Sequence, residues 1–174
     1  MPKLNARLIA RLWDFCAPDK PAKWESTHYT YLHDPYVVDG MLMATDTFKA
    51  LIIDRDTGLA TGAHLPRELR SIRYGKRDEV VFDSGHVRHG SISLEVPCYT
   101  DQKRVPDVRR ILKDFMRADQ DTRIDPTLLM PFLRLGKEQG WDLELVSNGA
   151  QMLVKYYDER GLVPVRGLVM GKRR

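Results

Sequence analysis

The chain has 174 residues, enough for one large domain or two small ones, since single cores usually hold about 100 to 200 residues. Apolar residues make up 43% and charged residues 30%, and no apolar run approaches the ~18 residues that cross a bilayer, so the composition is that of an ordinary globular protein. The formal net charge of +4 is modestly basic, which permits a polyanion as partner without requiring one.

The start of the chain and its cysteines indicate a reducing compartment. Charges are scattered through the first residues, which therefore do not form the basic tip and apolar block of a secretory signal, and we expect a cytoplasmic protein. Two cysteines, Cys16 and Cys98, are too few for a disulfide framework at this length. We interpret both as reduced thiols.

Residues 3–16 are predicted to form an amphipathic helix, because apolar residues recur there at intervals of three or four. Lys3, Arg7 and Arg11 recur every four residues and form a second, basic stripe on the same helix. The prolines of "APDKPAK" then end the helix in a loop.

Two groups of strands follow. Residues 27–54 are rich in β-branched and aromatic residues and predict a β-meander of three or four strands, with Asp39-Gly40 as the strongest hairpin signal. "LATGAHLPRELRSIRYG" predicts a short strand and a short helix that begins near Pro66. "DEVVFDSGHVRHGSISLEV" predicts two or three further strands separated by two glycine turns.

The predicted domain organisation has three parts. Residues 1–97 form a first domain of two helix-and-meander units, and the polar residues 98–121 connect it to an additional half-domain, residues 122–174. Within the connecting segment, "PDVRRILKDFMR" is predicted to be helical. The half-domain is predicted to contain one helix, capped by Asp125 and ended at Gly140, followed by three strands.

A helix followed by antiparallel strands is thus predicted two to three times along the chain. A unit repeated at intervals constrains the whole architecture. The predicted fold class is α+β, built from repeated helix-plus-antiparallel-meander units with the helices on one side of curved antiparallel sheets.

This order of features resembles the DNA sliding clamps, and the bacterial DNA polymerase β clamp in particular. The hairpin "DGMLMATDTFKALI" is similar to the Gly-x-Leu-x-x-x-x-Thr-Asp strand pair of the clamps, and "KRVPDVRRIL" is similar to the Phe-Pro-Asp-Tyr-Arg-Arg segment that joins two clamp domains. "ATGAHLPRELRSI" looks like a clamp strand and second helix, and "LVPVRGLVM" like the end of the last half-domain. The chain is far shorter than a bacterial clamp subunit, so it resembles a short, divergent member.

The resemblance implies a function and an assembly. In sliding clamps, helices line the inside of a ring and sheets cover the outside, with strands pairing across subunit boundaries. A chain this short must recruit copies of itself to close such a ring, which implies a head-to-tail homo-oligomer. If the ring stays open instead, the chain is expected to be a monomer or dimer with another task. The implied function is that of a processivity factor, encoded by a phage or plasmid, which holds duplex DNA and works with a DNA polymerase or other replication protein.

Cations on nearly every predicted helix supply the candidate DNA contacts. Facing a shared channel, they would bind phosphates without reading sequence. The candidate DNA-binding residues are Lys3, Arg7, Arg11, Arg67, Arg70, Arg73, Arg109, Arg110, Lys113, Arg117, Arg134 and Lys137. The competing interpretation is a set of ordinary solvated helix faces, because acids such as Asp14, Asp114 and Glu138 interrupt these stripes.

Other functions remain open. The alternative is a regulatory or interaction protein with a clamp-like fold that binds a protein partner, such as a host replication protein. Phe115 and Met116 are candidates to line a groove of the kind that clamps offer to polymerase peptides. A third option is a small nuclease. The sequence has no glycine-rich phosphate loop and no nucleophile signature, so we expect no enzymatic activity. We also expect no metal or other cofactor, since His86 and His89 lie three apart on a predicted strand and point to opposite faces.

Overall fold

A computed structural model of the chain describes residues 1–18, 32–98, 108–113, 115 and 122–171. These residues form an α+β fold with two antiparallel sheets, one of four strands and one of six. None of the helices in this part of the chain is long and apolar enough to cross a membrane.

The sheets are built from ten strands, and four α-helices accompany them in the described ranges. The strands are β1 (Lys3–Asn5), β2 (Tyr36–Val38), β3 (Met41–Thr45), β4 (Lys49–Ile53), β5 (Glu79–Asp83), β6 (His86–His89), β7 (Ile92–Glu95), β8 (Asp142–Ser147), β9 (Gln151–Asp158) and β10 (Gly161–Met170). The helices are α1 (Ala6–Arg11), α2 (Glu68–Ser71), α3 (Val108–Lys113) and α4 (Pro126–Gln139), and a 3₁₀ helix (Leu12–Phe15) continues α1.

Three antiparallel meanders account for nine of the strands. They are β2-β3-β4, β5-β6-β7 and β8-β9-β10, and they follow α1, α2 and α4 respectively. The four-stranded sheet has the order β1-β5-β6-β7, and the six-stranded sheet has the order β2-β3-β4-β10-β9-β8. Because β10 pairs with β4 as well as with β9, the strands of residues 122–174 share one sheet with the first meander.

The hairpin at Asp39-Gly40 and the helix between Asp125 and Gly140 are confirmed. Both hairpin turn residues have positive φ, 47° and 78°, the conformation that an Asp-Gly turn supplies most readily. The Asp125 side chain accepts a hydrogen bond from the backbone N–H of Thr127, and Gly140 ends the helix in the left-handed conformation. The sequence therefore marks the boundaries of these elements correctly.

Three secondary-structure predictions are wrong in part. The helix predicted from residue 3 begins only at Ala6, because Leu4 is buried in a strand opposite Val80 of β5. The strand predicted before α2 is reduced to isolated bridges at Ala63 and His64. The first strand predicted for residues 27–54 lies mainly outside the described residues, and 32–34 have 3₁₀-helical and bend conformations rather than a strand.

The main hydrophobic core lies between the helices and the sheets. It contains residues of α1, α2, α4 and both sheets, and the inward residues of the six-stranded sheet alternate with outward ones. Val37 and Leu42 face the main core, whereas Tyr36 and Met43 face a second cluster closed by Val108 of α3. Helix α3 therefore covers the opposite face of the sheet from α1, α2 and α4.

Candidate functional site

A polar cleft of about 450 Å³ opens where α1, α2 and α4 approach one another. Its lining consists of Arg7, Ala10, Arg11, Asp14, Arg70, Tyr74 and Glu138. Three cations and two carboxylates give this lining a formal charge of +1. Helices α1 and α2, whose cations the sequence predicts to contact DNA, therefore contribute cations to a single cleft.

Helix α1 directs one face into this cleft. The side chain of Asn5 begins the helix by accepting hydrogen bonds from the backbone N–H of Arg7 at 3.0 Å and of Leu8 at 3.2 Å. Leu8 and its buried neighbours turn toward the core. Arg7 and Arg11, four residues apart, consequently share the outer face and reach the cleft together.

The Arg7 side chain is placed by Tyr74. Its Nε donates a hydrogen bond to the carbonyl of Tyr74 at 3.3 Å, and the Tyr74 hydroxyl in turn donates to the carbonyl of Leu69 at 2.6 Å. The Tyr74 ring packs edge-on against His89, with ring centroids 4.8 Å apart. Burial raises the pKa of Tyr74 to about 12, so its phenol stays neutral beside the arginine.

Among the described residues, the Arg11 side chain makes three hydrogen bonds, whereas that of Arg7 makes one. The Arg11 Nε donates to Glu138 Oε2 at 2.8 Å, Nη2 pairs with the other oxygen of the same carboxylate, and Nη1 donates to Asp14 Oδ2 at 3.1 Å. The hydrogen bond to Glu138 raises the pKa of Arg11, which remains a cation. The bidentate pair joins α1 to α4 across the cleft.

The remaining candidate DNA-binding residues are dispersed. Three of them make ion pairs: Lys3 with Glu79 at 3.2 Å, Arg67 with Asp34 at 2.6 Å and Arg109 with Asp39 at 2.6 Å. The exposed members of the full candidate set are Lys3, Arg67, Arg70, Arg73, Arg110, Lys113, Arg134 and Lys137.

The structure brings together Arg7, Arg11 and Arg70 but not the cations of α3. Since α3 covers the other face of the six-stranded sheet, Arg109, Arg110 and Lys113 lie across that sheet from the cleft. Arg117 lies outside the described residues. The twelve candidates therefore do not share one surface.

A second, apolar pocket of about 200 Å³ lies where α3 meets the β3–β4 turn and the end of β10. The side chains at its mouth include Phe48, exposed by 46%, and Ile111, exposed by 42%. Met170 also lines it, and the backbone N–H of Met170 donates to the carbonyl of Phe48 at 2.8 Å. The lining is mainly apolar, and its charged residue, Lys49, is already paired with Asp46, so the pocket suits an apolar side chain.

The β3–β4 turn determines how Phe48 is presented. Asp46 accepts hydrogen bonds from the backbone N–H of Phe48 at 3.0 Å and of Lys49 at 2.9 Å, and its carboxylate also pairs with the Lys49 ammonium. Thr47 adopts a positive φ of 77°. This compact turn holds the Phe48 ring partly outside the core, at the edge of the apolar pocket.

Sequence reasoning missed several of these residues. Tyr74 was not singled out, and Asp14 and Glu138 were noted only as acids that interrupt basic stripes. For the partner groove, Phe115 packs against the second cluster, and Met116 lies outside the described residues. The signal that the sequence offers is Phe48, an aromatic residue two positions after the Thr45-Asp46 pair.

Other chemistry has little support in the geometry. No group of three His, Cys, Asp or Glu side chains within the described ranges is arranged to hold a metal ion. Cys16 is buried, which raises the pKa of its thiol, and Cys98 is exposed. Trp13 is buried and donates a hydrogen bond to Asp34 at 3.2 Å, so it has a structural role.

No protein-family model matches the chain, and no curated protein matches it either. The cleft and the pocket must therefore be interpreted from their own chemistry.

Proposed function

We propose that this chain is a sliding-clamp-like processivity factor. In this proposal it holds duplex DNA non-specifically through the cations of its helices, closes around the DNA as a homo-oligomer, and works in the cytoplasm with a DNA polymerase or other replication protein. The observation that carries the proposal is the cleft, where Arg7 and Arg11 of α1 meet Arg70 of α2. Cations that converge from separate helices suit a phosphate backbone, which carries closely spaced charges along its length.

The order of elements supports the same proposal. Each of α1, α2 and α4 precedes a three-stranded antiparallel meander, as a clamp built of helix-plus-meander units requires. The edge strands of the two sheets are β2, β8, β1 and β7. In a closed ring, edges of this kind would be paired between subunits, which removes an aggregation hazard.

The DNA proposal is tested by fluorescence anisotropy with labelled duplexes of two unrelated sequences, over a series of salt concentrations. We expect similar affinities for both duplexes and a steep loss of affinity with salt. The double variant Arg7→Gln with Arg70→Gln should lower the log–log salt slope by about 2, one unit for each lost phosphate contact. Absence of binding at low salt would contradict the proposal.

A matched control separates the cleft from overall charge. Arg55 and Arg160 are exposed and lie in turns beside β4 and between β9 and β10. The double variant Arg55→Gln with Arg160→Gln removes the same charge without changing the cleft. Equal losses of DNA affinity in the two double variants would mean that the cleft has no special part in binding.

Ring closure is tested by light scattering coupled to size exclusion, at low and moderate salt. A discrete tetramer or hexamer is the expected result for a closed ring. A clean monomer or dimer would mean that the chain does not encircle DNA by itself and would favour the second function.

The second candidate function is binding of a protein partner, as a regulatory or interaction protein. The apolar pocket beside Phe48 and Ile111 supports it, as does the loss of Lys3, Arg67 and Arg109 to ion pairs. A test is cross-linking to a host replication protein, with Ile111→Asp expected to abolish the cross-link. Ile92, also exposed by 42% but on β7, provides the control Ile92→Asp, which should leave it intact.

A further inference from the structure

Arg11 differs from Arg7 in how its guanidinium is held. All three guanidinium nitrogens of Arg11 have carboxylate partners: Glu138 accepts hydrogen bonds from Nε and Nη2, and Asp14 accepts one from Nη1. Arg7 makes one hydrogen bond through Nε and none through its terminal nitrogens to any residue in the described part of the chain. A phosphate can approach Arg7 directly, whereas at Arg11 it meets an occupied guanidinium.

The two carboxylates on Arg11 are not equivalent. Asp14 lies one turn along from Arg11 and moves with it. Glu138 belongs to α4 and is 127 residues distant in sequence, so its bond depends on how α4 sits against α1. The side chains of Arg11 and Glu138 remain about one third exposed, 37% and 32%, so water and salt reach the pair. An ion pair under these conditions is weak enough to be exchanged for another anion.

We propose that the Arg11–Glu138 pair is an exchangeable latch on the cleft. Glu138 holds Arg11 while the cleft is empty, and a DNA phosphate takes the place of the carboxylate on the guanidinium when DNA enters. This inference rests on the proposed function. Because the carboxylate and the phosphate compete for the Nε and Nη2 donors of Arg11, Glu138 lowers DNA affinity, and Arg11 contributes less to affinity than Arg7 does.

The latch predicts an interaction between two substitutions, which a double-mutant cycle measures. Glu138→Gln keeps the shape of the side chain and removes the carboxylate that the phosphate must displace, so the contact between Arg11 and the phosphate is no longer offset. At about 0.1 M salt, one phosphate contact that is not offset raises DNA affinity by up to about eightfold. Arg11→Gln alone should change the affinity by less than about twofold, since in the wild-type chain its phosphate contact is offset by loss of the carboxylate.

The decisive member of the cycle is the double variant. With Arg11→Gln also present, Glu138→Gln should no longer tighten binding, because the guanidinium that it releases is absent. Glu159→Gln, which removes the same charge from the exposed turn before β10, is the matched control and should leave the affinity within about twofold of wild type. Thermal unfolding of each variant identifies any loss of folded protein before the affinities are compared.

Two results would overturn the latch. One is a Glu138→Gln variant that binds DNA no more tightly than Glu159→Gln. The other is a gain of affinity on Glu138→Gln that persists when Arg11→Gln is also present. Such a gain would come from the loss of a negative charge in the cleft and not from the release of Arg11. Both results presuppose salt-sensitive DNA binding by the wild-type chain, whereas its absence in the wild type and in every variant would refute the proposed function itself.

Discussion

Substitution of Gly167 by alanine tests the contact that seats α4 on the six-stranded sheet. Gly167 lies in β10, and a Cβ built at this position would overlap the ring of Phe132 from α4. The Phe132 ring is fully buried and packs edge-on against Phe15, with ring centroids 4.7 Å apart. The backbone carbonyl of Phe132 accepts a hydrogen bond from the buried Tyr156 hydroxyl at 3.2 Å. The ring therefore has little freedom to move aside.

The expected magnitude follows from two opposing effects. Alanine restricts the unfolded chain and stabilises the fold by about 0.4–1 kcal/mol where the backbone accepts it, and Gly167 does not have a positive φ. Inserting a methyl group into a packed core costs about 1–3 kcal/mol. We expect a net loss of about 1–2 kcal/mol in the free energy of unfolding. At about 2–4 °C per kcal/mol for a chain of this size, the melting temperature should fall by about 2–8 °C.

Urea denaturation of four proteins measures the effect: wild type, Gly167→Ala, Phe132→Leu and the double variant. If the alanine methyl meets the Phe132 ring, Gly167→Ala should cost less when Phe132 has been shortened, with an interaction energy of about 1 kcal/mol. A neutral or stabilising Gly167→Ala in the presence of Phe132 would refute the packing of α4 on β10. It would also remove the support for the position of Glu138, because α4 carries that residue to the cleft.

Two further predictions concern stability. The Asp125 side chain accepts a hydrogen bond from the backbone N–H of Thr127 at 2.9 Å. Asp125→Ala removes this bond and should lower the free energy of unfolding, measured by urea denaturation, by about 1 kcal/mol. Asp125→Asn keeps an acceptor and should lower it much less. His64 is buried, which lowers its pKa, so below the unfolded value of about 6.5 the unfolded chain binds a proton that the folded chain does not. Stability should therefore fall as the pH drops from 6.5 through the lower folded pKa, and this slope should be shallower in His64→Gln. Parallel pH profiles for the two proteins would contradict that assignment.

Local patterns predicted those elements whose ends are marked by particular residues. Asp39-Gly40 specifies a hairpin because its backbone conformation suits the twist of two strands, and Asp125 with Gly140 satisfies the two ends of a long helix. The start of α1 could not be located in this way. Residues 3–5 fit the helical periodicity, and only pairing with β5, more than seventy residues further on, makes them a strand.

The cleft was predicted in part, since Arg7, Arg11 and Arg70 belong to the basic stripes of two helices. Which cations would converge was not predictable, because this depends on packing between distant segments. The pairing of Arg11 with Glu138 is one example, and the position of α3 on the other face of the sheet is another. Helical periodicity gives the face on which a charge lies, but it does not give the neighbour of that face.

The position of β10 has a consequence for how the protein is made. β10 is the last strand of the described chain to be synthesised, yet it fills the place between β4 and β9, with Val169 opposite Lys49. A growing chain therefore carries β4 as an open edge, with the apolar run from Ala50 to Ile53, until β10 has been synthesised. Contacts of such large sequence separation form slowly, which leaves time for β4 to pair with the wrong strand. Chains that stop before Gly161 should thus need chaperones during synthesis, because they lack the centre of the sheet rather than one of its edges.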